Sequence, residues 1–141
     1  FIAKKEILLI PFINMWISLL GGLFIDRKNI RRALKTINKG IRLLKSGERM
    51  LVFPEGTRSK GRGLLPFRSG SLKLATQAGV PIVPIAISGS YEVFEKNYRV
   101  KAGPVRVVFC PPVNTAELTL GERKKDLADR IYRTIEEALG Q

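Results

Sequence analysis

The sequence predicts an α/β fold, with a mostly parallel central sheet flanked by helices on both faces in a single domain. Three observations predict it. Short apolar runs suited to strands alternate along the chain with stretches of helical period, an order that implies parallel strands joined by crossing helices. The run Ile82-Val83-Pro84-Ile85-Ala86-Ile87 is apolar without alternation, as a strand covered on both faces should be. Two long stretches carry apolar residues at steps of three and four, each forming one stripe able to lie against a sheet.

Taken in order, Phe1-Ile2-Ala3 reads as the tail of a buried strand that ends at Lys4-Lys5-Glu6. From Ile7 to Ile25 no residue is charged. As one continuous helix that run would reach about 28 Å, close to the ~30 Å of a hydrocarbon core. Pro11 and the pair Gly21-Gly22 interrupt it, so the clean helical segment is Phe12 to Leu20. Asn14 and Ser18 make one narrow polar stripe, and apolar side chains cover the remaining circumference. Such a helix is a core element or one pressed into a membrane interface; only an unbroken version would span a bilayer.

Leu23-Phe24-Ile25 is a short strand stopping at Asp26-Arg27. The next helix is marked by Ile30, Leu34, Ile37, Ile41 and Leu44, with Asn29 as N-cap and Ser46-Gly47 as the stop. Its other faces carry Arg31, Arg32, Lys35, Lys39, Arg42 and Lys45, with no acid until Glu48. A merely solvated face mixes both signs, so this one points to an anionic partner. Met50 to Phe53 reads as a buried strand that ends at Pro54. A loop from Gly56 to Phe67 follows, holding Arg58, Lys60, Arg62 and two glycines. A helix then runs from Ser69 through Leu72, Leu74, Ala75 and Ala78 to a stop at Gly79. After the strand at 82–87, residues 88–103 form a polar and aromatic surface excursion without an assigned element. Val105, Val107, Val108 and Phe109 make a last strand, and Leu127, Ile131, Ile135 and Leu139 a last amphipathic helix.

Composition narrows the function. The 141 residues suffice for one domain with a real core, and 45% hydrophobic content argues against disorder. A formal charge of +13, from 25 basic and 12 acidic residues, implies an anionic partner: nucleic acid, an acidic protein, an anionic bilayer or a phosphorylated small molecule. The single cysteine, Cys110, excludes an internal disulfide and reads as a buried strand residue. The sequence contains no histidine, which removes the commonest general base and the commonest zinc ligand.

Parallel strands share a carboxyl edge, so the residues just after each strand should be neighbours. They are Lys4-Lys5, Asp26-Arg27, Glu55 to Ser59 and Ser88-Gly89. Three successive strands thus bring a cation to one edge, and Gly56 adds a backbone N–H, a combination suited to phosphate. Other phosphate signatures are missing: there is no G-x-x-x-x-G-K-[ST] run, and Gly61-x-Gly63 lacks the strand–helix setting of a dinucleotide site. Glu55 reads as orienting Arg58 or accepting a substrate hydroxyl, because cations around a carboxylate weaken it as a base.

Phe53-Pro54-Glu55-Gly56-Thr57-Arg58-Ser59 resembles the third signature block of the glycerolipid acyltransferases, of the 1-acylglycerol-3-phosphate acyltransferase type. Gly22-Leu23-Phe24-Ile25-Asp26-Arg27 resembles their second block and Val83-Pro84-Ile85-Ala86-Ile87 their fourth. Ala3-Lys4-Lys5-Glu6 and Pro66-Phe67-Arg68-x-Gly70 also fit, so the resemblance runs from Phe1 to about Val113. It implies acyl transfer from acyl-CoA or acyl carrier protein to lysophosphatidic acid, forming phosphatidic acid, with no further cofactor. It also implies that Arg27, Arg58 and Glu55 hold the glycerol phosphate, that Gly56 and Thr57 shape the loop, and that Lys4 is a weaker phosphate ligand.

The family's first block, a His-x4-Asp that supplies the base, has no counterpart in this sequence. The expectation is therefore a partial acyltransferase domain, residues 1–141, that lacks its N-terminal catalytic block and is inactive alone. It is expected on the cytoplasmic face of an anionic membrane, as a peripheral or monotopic protein. Alternatives are an acyltransferase for another lysophospholipid or an ornithine-type lipid, and a non-catalytic basic module binding lipid or nucleic acid. Against nucleic acid, no recognised motif appears and the aromatics are not interleaved with cations along a strand.

Overall fold

In a computed structural model the described residues are 1–26, 28–68, 70–115 and 124–140. The chain has the α/β class that the sequence predicts, built as two compact units. The first comprises Phe1–Phe53 and Lys73–Val80, the second Pro54–Leu72 and Pro81–Gln141.

In the first unit, β1 (Ile2–Lys4) and β2 (Leu23–Ile25) pair in parallel, with Ile2 opposite Leu23 and Lys4 opposite Ile25. The connection between them holds a 3-10 turn, Lys5–Leu9, and a short helix α1 (Ile13–Leu19). Asn14 and Ser18 satisfy local groups rather than a ligand: Asn14 Nδ2 donates to the Leu8 carbonyl at 2.8 Å and Ser18 Oγ to the Asn14 carbonyl at 2.8 Å. Of α1 only Ile17 is buried, while Phe12 is 74% and Trp16 61% exposed. Among the described residues this helix is therefore not a core element. Among the described residues no helix is long and apolar enough to cross a membrane.

Helix α2 (Ile30–Lys45) begins and ends where local chemistry dictates. Asn29 is the N-cap, its side chain accepting the Arg32 N–H at 3.0 Å. Gly47, at φ 92°, lets the Glu48 N–H reach back to the Leu43 carbonyl at 3.0 Å. The predicted stripe is only partly covered: Ile37, Ile41 and Leu44 are half-buried, but Ile30 is 77% exposed. Close packing is carried instead by buried Gly40, where an added Cβ would lie 2.7 Å from Leu74 Cδ2 and 3.3 Å from Leu23 Cδ1. Leu74 belongs to α3 (Lys73–Ala78), which ends at Gly79. That helix starts later than predicted, and Ser69 lies outside the described residues. The predicted strand Met50–Phe53 has no strand pairing among the described residues, because an apolar run does not by itself supply a hydrogen-bonding neighbour.

In the second unit, β3 (Ile85–Ser88) and β4 (Arg106–Phe109) pair antiparallel, Ile85 opposite Phe109 and Ser88 opposite Arg106. The connection between them, residues 89–105, holds one five-residue π-helical turn, Tyr91–Glu95. Ala86 and Cys110 are buried with Leu127, Ile131, Ile135 and Ala138 of helix α4 (Lys124–Gly140). These side chains form the buried apolar cluster of the unit. Tyr132 extends it, its ring edge-on to Phe67 at 5.3 Å and its hydroxyl donating to the Leu64 carbonyl at 3.2 Å.

Candidate functional site

The segment from Pro54 to Arg68 is a loop that closes on itself. The Arg68 N–H donates to the Pro54 carbonyl at 3.0 Å, and Arg68 Nε to the Glu55 carbonyl at 3.3 Å. Inside that neck, Glu55 Oε2 accepts the Leu65 N–H at 2.9 Å. Gly56, at φ 66°, turns the chain immediately after Glu55, in a conformation that a side chain would strain. Thr57 and Arg58 follow on the exposed side. Lys60 and Gly61 continue the turn in left-handed conformation, at φ 55° and 77°. There an added Cβ on Gly61 would meet Tyr91 Cε1 at 2.9 Å.

The expected orienting contact between Glu55 and Arg58 is not made. Glu55 is spent on the backbone of its own loop, and Arg58 Nη1 pairs with Glu95 at 3.0 Å. The physical reason is competition: the Leu65 N–H takes the carboxylate and Glu95 the guanidinium, on either side of the left-handed turn at Gly56. The Arg58 side chain is 72% exposed and that of Glu95 29%. A guanidinium carries five N–H donors, so a contact through one nitrogen leaves others for a phosphoryl oxygen. The loop can therefore present a fixed cation beside the backbone of a glycine turn, an arrangement that suits an anion.

In the first unit, Lys4 ends β1 exposed, opposite Ile25, and the residues just beyond meet. Lys5 Nζ lies 3.1 Å and Arg32 Nη1 3.6 Å from Asp26 Oδ2. The hydrogen bond from Lys5, with a further one from the Lys28 N–H and the nearby cations, holds the Asp26 carboxyl below its ordinary value against the opposing effect of burial. Arg27, the predicted phosphate ligand of this edge, lies outside the described residues.

Sequence reasoning missed Glu95 and Tyr91. Both lie in the stretch 88–103 that carried no predicted element, and their spacing of four was the one available signal.

Comparison with known proteins gives this loop its setting. The profile of a family described as acyltransferase matches residues 1–88, the greater part of the chain, including the turn from Glu55 to Arg58.

The chain belongs to the acyltransferase family.

Among its relatives is the 1-acyl-sn-glycerol-3-phosphate acyltransferase of Saccharomyces cerevisiae, 37% identical over 142 residues, which span 96% of this chain and 47% of the yeast protein. The enzyme of that name from Salmonella typhimurium is 42% identical over 117 residues, covering 82% of this chain and 47% of its own length. The crystal structure of the 1-acyl-sn-glycerophosphate (LPA) acyltransferase PlsC from Thermotoga maritima superposes with a TM-score of 0.83 at 30% identity. That match covers 99% of this acyltransferase chain and 54% of the Thermotoga chain. The chain thus spans about half the length of the relatives it matches.

Proposed function

We propose that the complete protein transfers a fatty acyl group from acyl-CoA or acyl carrier protein to the free hydroxyl of lysophosphatidic acid, giving phosphatidic acid. These 141 residues then form a partial acyltransferase domain carrying the acceptor-phosphate site. The observation that carries the reading is the closed 54–68 loop, which presents an exposed Arg58 from a glycine turn in a chain whose relatives are named for a phosphorylated acceptor. In this reading Arg58 binds phosphoryl oxygens through its fork, Gly56 and Thr57 shape the turn, and Glu55 acts by bracing the loop. Lys4 and Arg27 enter the proposal as further phosphate ligands on the resemblance of their motifs alone.

The reaction joins the acceptor oxygen to the acyl carbon and breaks the thioester, so a thiol leaves and the hydroxyl proton must pass to a base. With no histidine in the 141 residues, the proposal places that base outside them. Membrane attachment is part of the same reading. The exposed apolar side chains of α1 and the cations of α2 suit an anionic bilayer surface on the cytoplasmic side.

Purified complete protein, given radiolabelled oleoyl-CoA or acyl carrier protein and 1-oleoyl lysophosphatidic acid, is expected to form labelled phosphatidic acid, and the 141 residues alone none. Absence of product from the complete protein with either donor, or turnover by the 141 residues, would overturn the corresponding part of the proposal.

A further inference from the structure

We infer that Glu95 is a positioning residue for Arg58, and that the turn Tyr91–Glu95 is the platform that fixes the 54–68 loop for an acceptor phosphate. The inference rests on the proposed role of Arg58 as a phosphate ligand. Two independent contacts join platform and loop. Tyr91, at the start of the turn, fills the space beside Gly61, whose missing side chain lets the ring approach. Glu95, four residues on, holds Arg58 Nη1 at 3.0 Å. A π-helical turn brings residues at this spacing to one side, and the Lys96 N–H bond to the Tyr91 carbonyl at 3.1 Å is the i to i+5 closure that defines it.

The neighbouring charges leave Glu95 to this task. Lys96, next in sequence, is committed to Glu92 at 2.8 Å. The turn itself is braced from outside, by the Lys101 N–H donating to the Val93 carbonyl at 2.8 Å and the Glu92 N–H to the Gly89 carbonyl at 3.1 Å. The anchor of the pair is thus the more covered carboxylate on a braced turn, and the more exposed member is the guanidinium that meets the ligand. Arginine is flexible and costly to order, so a partner that holds one nitrogen reduces what phosphate binding must spend on immobilising it.

The test is a double-mutant cycle in the complete protein, with 1-oleoyl lysophosphatidic acid and radiolabelled oleoyl-CoA as substrates. Glu95→Gln is expected to raise the acceptor KM about two- to fivefold, the range of a solvent-accessible ion pair, with kcat and Tm unchanged. In an Arg58→Ala background the same change is expected to add nothing. Where Arg58→Ala turns over too slowly, the cycle is read from the Kd of a short-chain, water-soluble lysophosphatidic acid by calorimetry. A Glu95→Gln effect that persists in the Arg58→Ala background would overturn the inference. So would an unchanged or lowered KM for Glu95→Gln where Arg58→Ala raises it. An Arg58→Ala protein with wild-type KM would instead overturn the phosphate reading, and this inference with it.

Discussion

The Glu55 carboxylate accepts the backbone N–H of Leu65 at 2.9 Å, tying the first residues of the 54–68 loop to its last. The bond makes Glu55 a structural brace of the turn that presents Arg58, and it separates the effect of losing Glu55 from that of losing Arg58.

Glu55→Ala leaves the half-buried Leu65 N–H without its acceptor. A hydrogen bond to a charged group contributes about 1.5–3 kcal/mol, so a loss of that order in unfolding free energy is expected. Glu55→Gln keeps a carbonyl oxygen at the same reach and should recover most of it. Denaturant midpoints for the two variants check this; equal losses would mean that the charge, not the N–H contact, matters.

Gly40 predicts a size threshold. A Cβ at this position would press on the ends of Leu74 and Leu23, side chains able to shift slightly, while alanine gains about 1 kcal/mol of helix propensity. Gly40→Ala is therefore expected to stay within about 1 kcal/mol of wild type, and Gly40→Leu to lose about 1–3 kcal/mol by overpacking. Thermal unfolding of both variants decides it.

Asp26 predicts a pH dependence. Its pKa is lowered in the folded chain, first by the Lys5 hydrogen bond. A lowered folded pKa binds fewer protons than the unfolded chain, so its stabilisation is present above the unfolded value, 3.8, and is lost as pH falls through the folded one. Asp26→Asn should flatten the acid side of the stability profile below about pH 4 and leave its shape near neutrality unchanged. An identical acid slope in both proteins would contradict the assignment.

Trp16, the only tryptophan, reports on the proposed membrane contact. Its fluorescence is expected to shift to the blue with vesicles rich in anionic lipid. High salt or neutral lipid should weaken the shift, since each nearby Lys or Arg contributes about 1 kcal/mol before screening. Salt-independent binding would contradict a role for the α2 cations.

What the sequence disclosed follows the range of the interactions. The Asn29 cap, the Gly47 and Gly79 stops and the Leu127–Ile131–Ile135 stripe are local and were legible. The meeting of Lys5 with Asp26 was legible too, because parallel strands align their ends. The absent pairing of Met50–Phe53 and the antiparallel return of β4 depend on distant neighbours, which an apolar run does not name. The same holds at the candidate site. That Glu55 to Arg58 form one turn could be read from Pro54 and Gly56, but Arg58 takes its partner 37 positions away at Glu95. Exposure was the least legible property: Ile30 sits on the apolar stripe of α2 and still faces solvent.

The most direct test of the acceptor site is the KM of the complete protein for lysophosphatidic acid after Arg58→Ala. Loss of a charge-assisted contact of about 1.5–3 kcal/mol corresponds to a rise of about tenfold or more, and that rise is the predicted result. An Arg58→Ala enzyme with the wild-type KM for the phosphorylated acceptor would contradict the account.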